Sequence, residues 1–404
     1  MKSVLGPLNG LRVLDLSSMM AGPYCGRWLA DLGADVIKIE SPEGDYMRSR
    51  PPCRDGHSAY FGHLNCGKRS IVLDLKNRDA LSMAGRLARV ADVLVEGFRP
   101  GVMQRMGLDY AALRDHCPRL VYCSISGWGQ QGPRAQQAAY AAIVHAATGF
   151  DAAWQAGQPA PNQPPACAVQ IADVLAASFA VMGVQSALLA RAATGRGTHV
   201  DLSLAEGMLS LMPLEVVQAQ FDTPLARTSY RPTAAADGNF VVTPISQKNF
   251  EDLCDAMRRP ALKQDTRFAT SPARVQHWEA LLAELADWAG GRGAADCVDE
   301  LERHGVPATL CGTVRAVLSD PQLAARGFLQ QAADAGGAYA VAGLPFQLHG
   351  LSWADRPQRA VPGLGEHTRD VLHEVLELDE EALDRLAASG AFGRVAGAPA
   401  APPR

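Results

Sequence analysis

Most signatures of a bound metal, nucleotide or nucleic acid are missing from this sequence. Its nine cysteines, Cys25, Cys53, Cys66, Cys117, Cys123, Cys167, Cys254, Cys297 and Cys311, form no C-x-x-C pair, are odd in number and scatter along the chain. That excludes a disulfide framework and a zinc site, and reads as the reduced thiols of a cytoplasmic protein. Neither G-x-x-x-x-G-K-[ST] nor H-E-x-x-H occurs, and the ten histidines show no metal-ligand spacing. The net charge of -4 offers no concentrated basic surface of the kind nucleic acids require. The opening residues, "MKSVLGPLNGLRVLDLSS", carry one lysine, no long apolar run and an early proline and glycine, so no signal peptide is expected. One apolar stretch, 171–190, is long enough to span a bilayer, but Asp173, Ser178, Gln185 and Ser186 interrupt it and alanine is frequent in it. A buried core helix is expected there, and no membrane contact.

What is present is the pattern of a layered α/β protein. With 404 residues, 48% apolar and 20% charged, the chain is ordinary in composition and too long for one hydrophobic core. Its first 130 residues alternate strand signals (11–17, 35–41, 70–76, 92–97, 119–127) with helix signals (21–33, 78–90). Such alternation predicts βαβ units and a parallel sheet covered on both faces. Ligands of these sheets gather where strands end, so the loops "SSMMAGPY", "KN", "EGFRPG" and "SGWGQQGP" are the candidate site. The first βα turn, "DLSSMMAGPYCG", lacks G-x-G-x-x-G, which argues against a dinucleotide. A helix is expected over 139–148, a long one from 173, and a strand feeding a helix in "GTHVDLSLAEGMLSLM". The texture changes near 225, where a smaller region rich in helices begins and runs to about 325; 327–350 reads as short strands.

The long helix opens on Asp173, and almost nothing ionisable follows until Arg191. Asp173 has two readings. It is an N-cap whose carboxylate satisfies the first amides of the helix, or it is a nucleophile, held ionised and aimed by the helix N-terminus. Lys76, Arg99 and Arg105 are cations near strand ends, either phosphate partners or solvated surface charges. His145, on the 139–148 helix, reads as a packed or surface histidine.

The string "VLDLSSMMAGPYCGRWLADLGADVIKIESPEGD" resembles the opening of the family III CoA-transferases, the group of formyl-CoA transferase and the CaiB/BaiF proteins. The resemblance continues through "NCGKRSIVLDLK", "ADVLVEGFRPGVMQRMGLDY", "RLVYCSISGWGQQGP", "GRGTHVDLSLAEGMLSLM", "HGVPATLCGTVRAVLSDPQLAARG" and "PGLGEHTRDVL". It runs nearly end to end, in consistent order. It implies that Asp173 attacks an acyl-CoA thioester to form an acyl–aspartyl anhydride, and that CoA then passes to a carboxylic acid, possibly a dicarboxylate. A low Asp173 pKa, maintained by the helix dipole, is expected. CoA enters as substrate, with no permanently bound cofactor and no metal. Carried over by position, the CoA contacts are Met20, Ala21, Leu73, Lys76, Gly97, Phe98, Arg99, Arg105 and Tyr140.

The resemblance also implies a fold. Residues 1–225 and the return segment 327–404 build a large Rossmann-like domain, with an Ala/Pro tail expected to be disordered from about 394. Residues 226–326 form a smaller α/β domain, and two chains interlock as a homodimer. Three departures stand out: Ser41 where some relatives carry arginine, Ala141 where an acid follows the tyrosine, and "TAAADG" in place of a glycine-rich lid. Two other activities remain in view. An α-methylacyl-CoA racemase of the same superfamily pairs the aspartate with a histidine, where this chain has Tyr140. Tyrosine, near pKa 10, is a poor proton shuttle, and His145 lies roughly 140° further round a helix. A non-catalytic CoA-binding protein is the other.

Overall fold

The computed structural model describes residues 6–156, 167–222, 230–349 and 359–393. The boundary expected near 225 and the tail expected from 394 fall outside them. The chain divides into two compact units, Met1–Pro213 with Gly327–Arg404, and Leu214–Arg326.

The larger unit begins with β1 (Arg12–Asp15), α1 (Ala21–Asp31), β2 (Asp35–Glu40), α2 (Ala59–Asn65), β3 (Arg69–Val72) and α3 (Arg78–Val90). It continues through β4 (Val93–Glu96), α4 (Val102–Arg105), β5 (Val121–Ser126), α5 (Ala141–Ala147), α6 (Ile171–Thr194), β6 (His199–Ser203) and α7 (Leu204–Leu211). The six strands form one sheet in the order β3-β2-β1-β4-β5-β6, and every pair in it is parallel. This is the doubly wound order, without the glycine fingerprint that usually accompanies it.

Alternation along the strands explains the two covered faces. Val13, Val36, Val95, Val121 and Cys123 point to the side of α1 and α6, where Leu29, Ala176, Ala180 and Val184 meet them. Leu14, Ile37, Ile71, Leu94 and Tyr122 point the other way, onto Leu87 of α3 and onto Val371 and Leu372 of the return segment. The run "SIVLDLK" is strand only to Val72. Beyond it the chain turns, with the Asn77 amide donating to the Asp74 carbonyl and the Asn77 side chain capping α3. Leu73 to Lys76 are thereby left in a loop at the strand's end.

The 24-residue α6 is the one helix, among the described residues, apolar and long enough to cross a bilayer. Its alanine face packs into the core, but Met182 and Leu189 are exposed. The helix is therefore buried on one face, not all round as its composition suggests.

In the smaller unit, β7 (Thr233–Ala234), β8 (Asn239–Val242) and β9 (Ala308–Leu310) form an antiparallel sheet. Helices pack around Phe240, Phe250, Phe268 and Leu285. The segment "TAAADG" supplies β7 and the turn into β8, closed by the Ala235 amide donating to the Gly238 carbonyl. In the return segment β10 (Leu329–Asp334) and β11 (Gly337–Ala342) form a hairpin, joined by β12 (Arg359–Ala360).

Charged groups also lie inside the larger unit. Asp15 and Lys68 are both fully buried, 2.8 Å apart, and Lys68 also donates to the Pro23 carbonyl and to Asn65. Burial pushes the Asp15 carboxyl up, but Lys68 and Lys38 outweigh it and hold the group at about 2. Removing one partner of a buried pair leaves an uncompensated charge. Lys68→Met is expected to lower unfolding stability in urea by about 3–5 kcal/mol, and Asp15→Asn/Lys68→Met to recover much of that loss. Equal losses in the two variants would contradict this.

Candidate active site

In a doubly wound sheet the crevice opens where neighbouring strands send their connections to opposite sides. Here β1 leads towards β2 and β4 leads towards β5, so the loops after β1 and β4 splay apart. A cavity of about 240 Å³ lies between them, bordered by Met20, Ala21, Gly97, Phe98, Arg99, Tyr140 and Asp173. A second cavity, of about 530 Å³, is bordered by Leu73, Lys76 and Phe98. Ser18 and Phe98 line both. The residues picked from the sequence thus assemble into two adjoining chambers, except Arg105, which is exposed on α4 while Val102 and Met106 line the larger one. Ser41 borders that larger chamber too. A further cavity of about 430 Å³ adjoins Arg99, with Glu96, Tyr110 and His199 on its walls.

Asp173 is not the cap of α6. The helix starts two residues earlier, Gln170 is its N-cap, and Asp173 lies in the first turn. No hydrogen bond or ion pair engages the Asp173 carboxylate among the described residues. Burial with nothing to offset it pushes the carboxyl up to about 6. The expectation of a low pKa is therefore overturned: loss of water outweighs the favourable end of the helix. A carboxylate so placed is mostly ionised at neutral pH, yet more basic than a surface aspartate.

His145 explains the start of the helix. It is buried, its Nε2 accepts the Ala172 amide at 3.2 Å, and its ring packs on Phe150. Burial lowers its pKa, with Asp151 opposing, which keeps the accepting nitrogen unprotonated. His145 positions the helix that carries Asp173 and does not border the 240 Å³ cavity.

Sequence reasoning missed the groups that hold the loops. Lys38, fully buried in β2, donates to the Ser17 carbonyl at 2.8 Å and pairs with Asp45 at 2.9 Å. Asp45 accepts the Met19 amide. Glu96, whose pKa burial raises, accepts the Phe98 amide at 2.8 Å. Tyr60, on α2, points its hydroxyl at the Met20 sulfur, 3.1 Å away, and lies close enough to Asp173 to feel its charge. One signal was available: Lys38, set between the isoleucines of "DVIKIE", has to find a buried partner. The amides of Ala21 and Gly22, the first two of α1, have no acceptor among the described residues, and both residues border the smaller cavity.

The sequence model of CoA-transferase family III matches residues 8–368. The chain is 33% identical over 401 residues to a succinate–glutarate CoA-transferase of Agrobacterium fabrum, covering 93% of this chain and 97% of that one. It is 36% identical over 342 residues to an acetyl-CoA:oxalate CoA-transferase of Acetobacter aceti, covering 80% and 85%. A crystal structure of a CaiB/BaiF family protein from Brucella suis superposes with a TM-score of 0.78 at 34% identity, covering 91% of this chain and 99% of that one.

The raised pKa of Asp173 has a consequence for stability. The folded state holds the proton more tightly than the unfolded chain, so the cost of burying the charge is absent below about pH 4, grows as pH rises, and is complete above about 6. Asp173→Asn, which never ionises, is expected to raise the melting temperature clearly at pH 8 and much less at pH 4.5. An equal shift at both pH values would contradict the account.

Proposed function

The chain belongs to CoA-transferase family III, and from that premise we propose that Asp173 is the nucleophile through which this CoA-transferase moves CoA from an acyl-CoA to a carboxylic acid. The supporting observation is an Asp173 carboxylate with no partner among the described residues, on the wall of a cavity that shares Ser18 and Phe98 with a larger chamber. A carboxylate attacks a thioester only if it is ionised, partly stripped of water and held in line with the carbonyl carbon. Its oxygen bonds to the acyl carbon, the C–S bond breaks, and CoA leaves as the thiolate. The product is the mixed anhydride. An acceptor carboxylate then attacks the Asp173 carbonyl and expels the first acid. The thiolate attacks the new acyl carbon and frees Asp173. One thioester replaces another, so neither a metal nor a redox cofactor has a step to perform.

The Ala21 and Gly22 amides serve the oxyanion that forms at each attack, as donors already fixed at a helix N-terminus. Leu73 and Lys76 take the nucleotide end of CoA in the larger chamber, Phe98 the waist, and Met20, Gly97 and Tyr140 flank the thioester. Arg99 is the phosphate partner nearest the smaller cavity, and Arg105 joins on a swing of its side chain. Relatives named for succinate, glutarate, mesaconate and oxalate support a short dicarboxylate as donor or acceptor. Exposed Met182 and Leu189 on α6, with Leu209 and Leu211 on α7, support burial against a second copy in an interlocked homodimer. The cytoplasm is the compartment we assign.

The racemase alternative needs two bases facing the α-carbon, and His145 is committed to the Ala172 amide. Asp173→Ala is expected to lower turnover by at least about 10³-fold, the scale of losing a covalent nucleophile, while CoA binding measured by calorimetry persists. Unchanged turnover would overturn the nucleophile, and the non-catalytic alternative has no turnover to lose. Loss of optical activity from a chiral 2-methylacyl-CoA without any carboxylate acceptor would instead establish racemisation.

A further inference from the structure

Met19 is one of the few residues other than glycine with a left-handed backbone, at φ 70. It sits in the turn between β1 and α1, on the wall of the Asp173 cavity. For a side chain like methionine's this conformation is disfavoured and persists only when its surroundings impose it. Those surroundings are two buried charges from β2 and the segment after it. The Lys38 ammonium lies 2.8 Å from the Ser17 carbonyl and 2.9 Å from Asp45. The other oxygen of Asp45 accepts the Met19 amide at 3.3 Å and the Met47 amide at 3.0 Å. Asp45 is itself held by its own amide, which donates to Glu40 at 2.9 Å. Neither side chain of the pair reaches solvent to any extent. Both ends of the turn, the Ser17 carbonyl and the Met19 amide, are therefore gripped by one ion pair.

We propose that the Lys38–Asp45 pair is a positioning device for CoA transfer: it holds Met19 left-handed, and so sets Met20 and the Ala21 and Gly22 amides against Asp173. The inference rests on the nucleophile reading given above and deepens it. Nothing in the pair touches the reacting atoms; its effect passes through the backbone of the turn. Surface turns of this kind normally sample several conformations, and donors of an oxyanion site act only when fixed in advance. A pair with two buried charges is a costly way to fix a turn, which is understandable where sub-ångström placement decides the rate.

Lys38→Met/Asp45→Asn removes both charges together and leaves neither uncompensated. The expected result is a kcat for CoA transfer lowered on the order of 10²-fold, the effect of ångström-scale misplacement, with a smaller change in KM for the acyl-CoA. Adding Met19→Gly is then expected to restore kcat by about tenfold, because glycine adopts positive φ without being held there. A purely structural role lowers the melting temperature and gains nothing in kcat from Met19→Gly. A double variant with unchanged kcat, or a loss that Met19→Gly does not relieve, overturns the inference. Should the double variant fail to fold, the same comparison is made with Asp45→Asn, which keeps an oxygen facing the Met19 amide. There, too, a kcat loss relieved by Met19→Gly supports the inference and any other result overturns it. Asp173→Asn run alongside separates the two ideas. Turnover surviving that change removes the nucleophile but leaves the Met19 comparison standing, since the comparison is read on turnover itself.

Discussion

A carboxylate taken out of water needs a donor or a counter-ion, and Asp173 has neither among the described residues. The rest of the larger unit is arranged around that constraint. Stability alone does not favour it: burial raises the carboxyl to about 6, so at neutral pH the folded protein carries an ionised group that water would solvate better. The penalty has a counterpart in reactivity, since a more basic, less hydrated oxygen is the better nucleophile towards a thioester. Each neighbour contributes to keeping it that way. His145 accepts the Ala172 amide at the start of that helix, Met20 borders the same cavity, and among the described residues no arginine or lysine pairs with Asp173.

The opposite treatment is given to the charges one layer beneath. Asp15 with Lys68, Lys38 with Asp45, and Glu40 with Arg48 are each paired at hydrogen-bond distance. They hold backbone atoms, not substrate: the Ser17 amide, the Ser17 carbonyl, the Met19 amide, the Pro23 carbonyl. A sheet whose strands are buried on both faces leaves its C-terminal loops as the free variable, and in this unit ion pairs remove that freedom. Among the described residues, these charges are satisfied and hold the loops, whereas the Asp173 carboxylate, on the cavity wall, is left without a partner.

How much of this the sequence discloses depends on how local each feature is. Helix α3 runs over 78–90, as its spacing predicts, because Asn77 supplies a cap of the expected type. The parallel sheet follows from short apolar runs. Helix α6 starts two residues before Asp173, the start to which the sequence points, because the Ala172 amide is capped from His145, 27 positions away, and Gln170 is not a capping residue by type. "SIVLDLK" reads too long as a strand because its alternation continues through Leu73 and Leu75 into the loop. Arg105 and Lys76 look alike in the sequence, yet Lys76 borders the 530 Å³ cavity and Arg105 borders none of the three cavities described, since side-chain direction on a short helix depends on what packs beneath it. Asp45, Tyr60 and Glu96 carried no pattern. Their roles arise from contacts across the sheet and from α2, which no window of sequence contains. The membership of the chain in its family was legible end to end, because whole strings, not single residues, carry it.

The covalent link between the acyl group and Asp173 is the claim on which the account stands, and trapping it is the most direct measurement. Enzyme turning over an acyl-CoA with a carboxylate acceptor is quenched with hydroxylamine, digested, and its peptides weighed by mass spectrometry. The account predicts a hydroxamate on the peptide containing Asp173, dependent on acyl-CoA. Active enzyme with that peptide unmodified, or with the label on another residue, would contradict it.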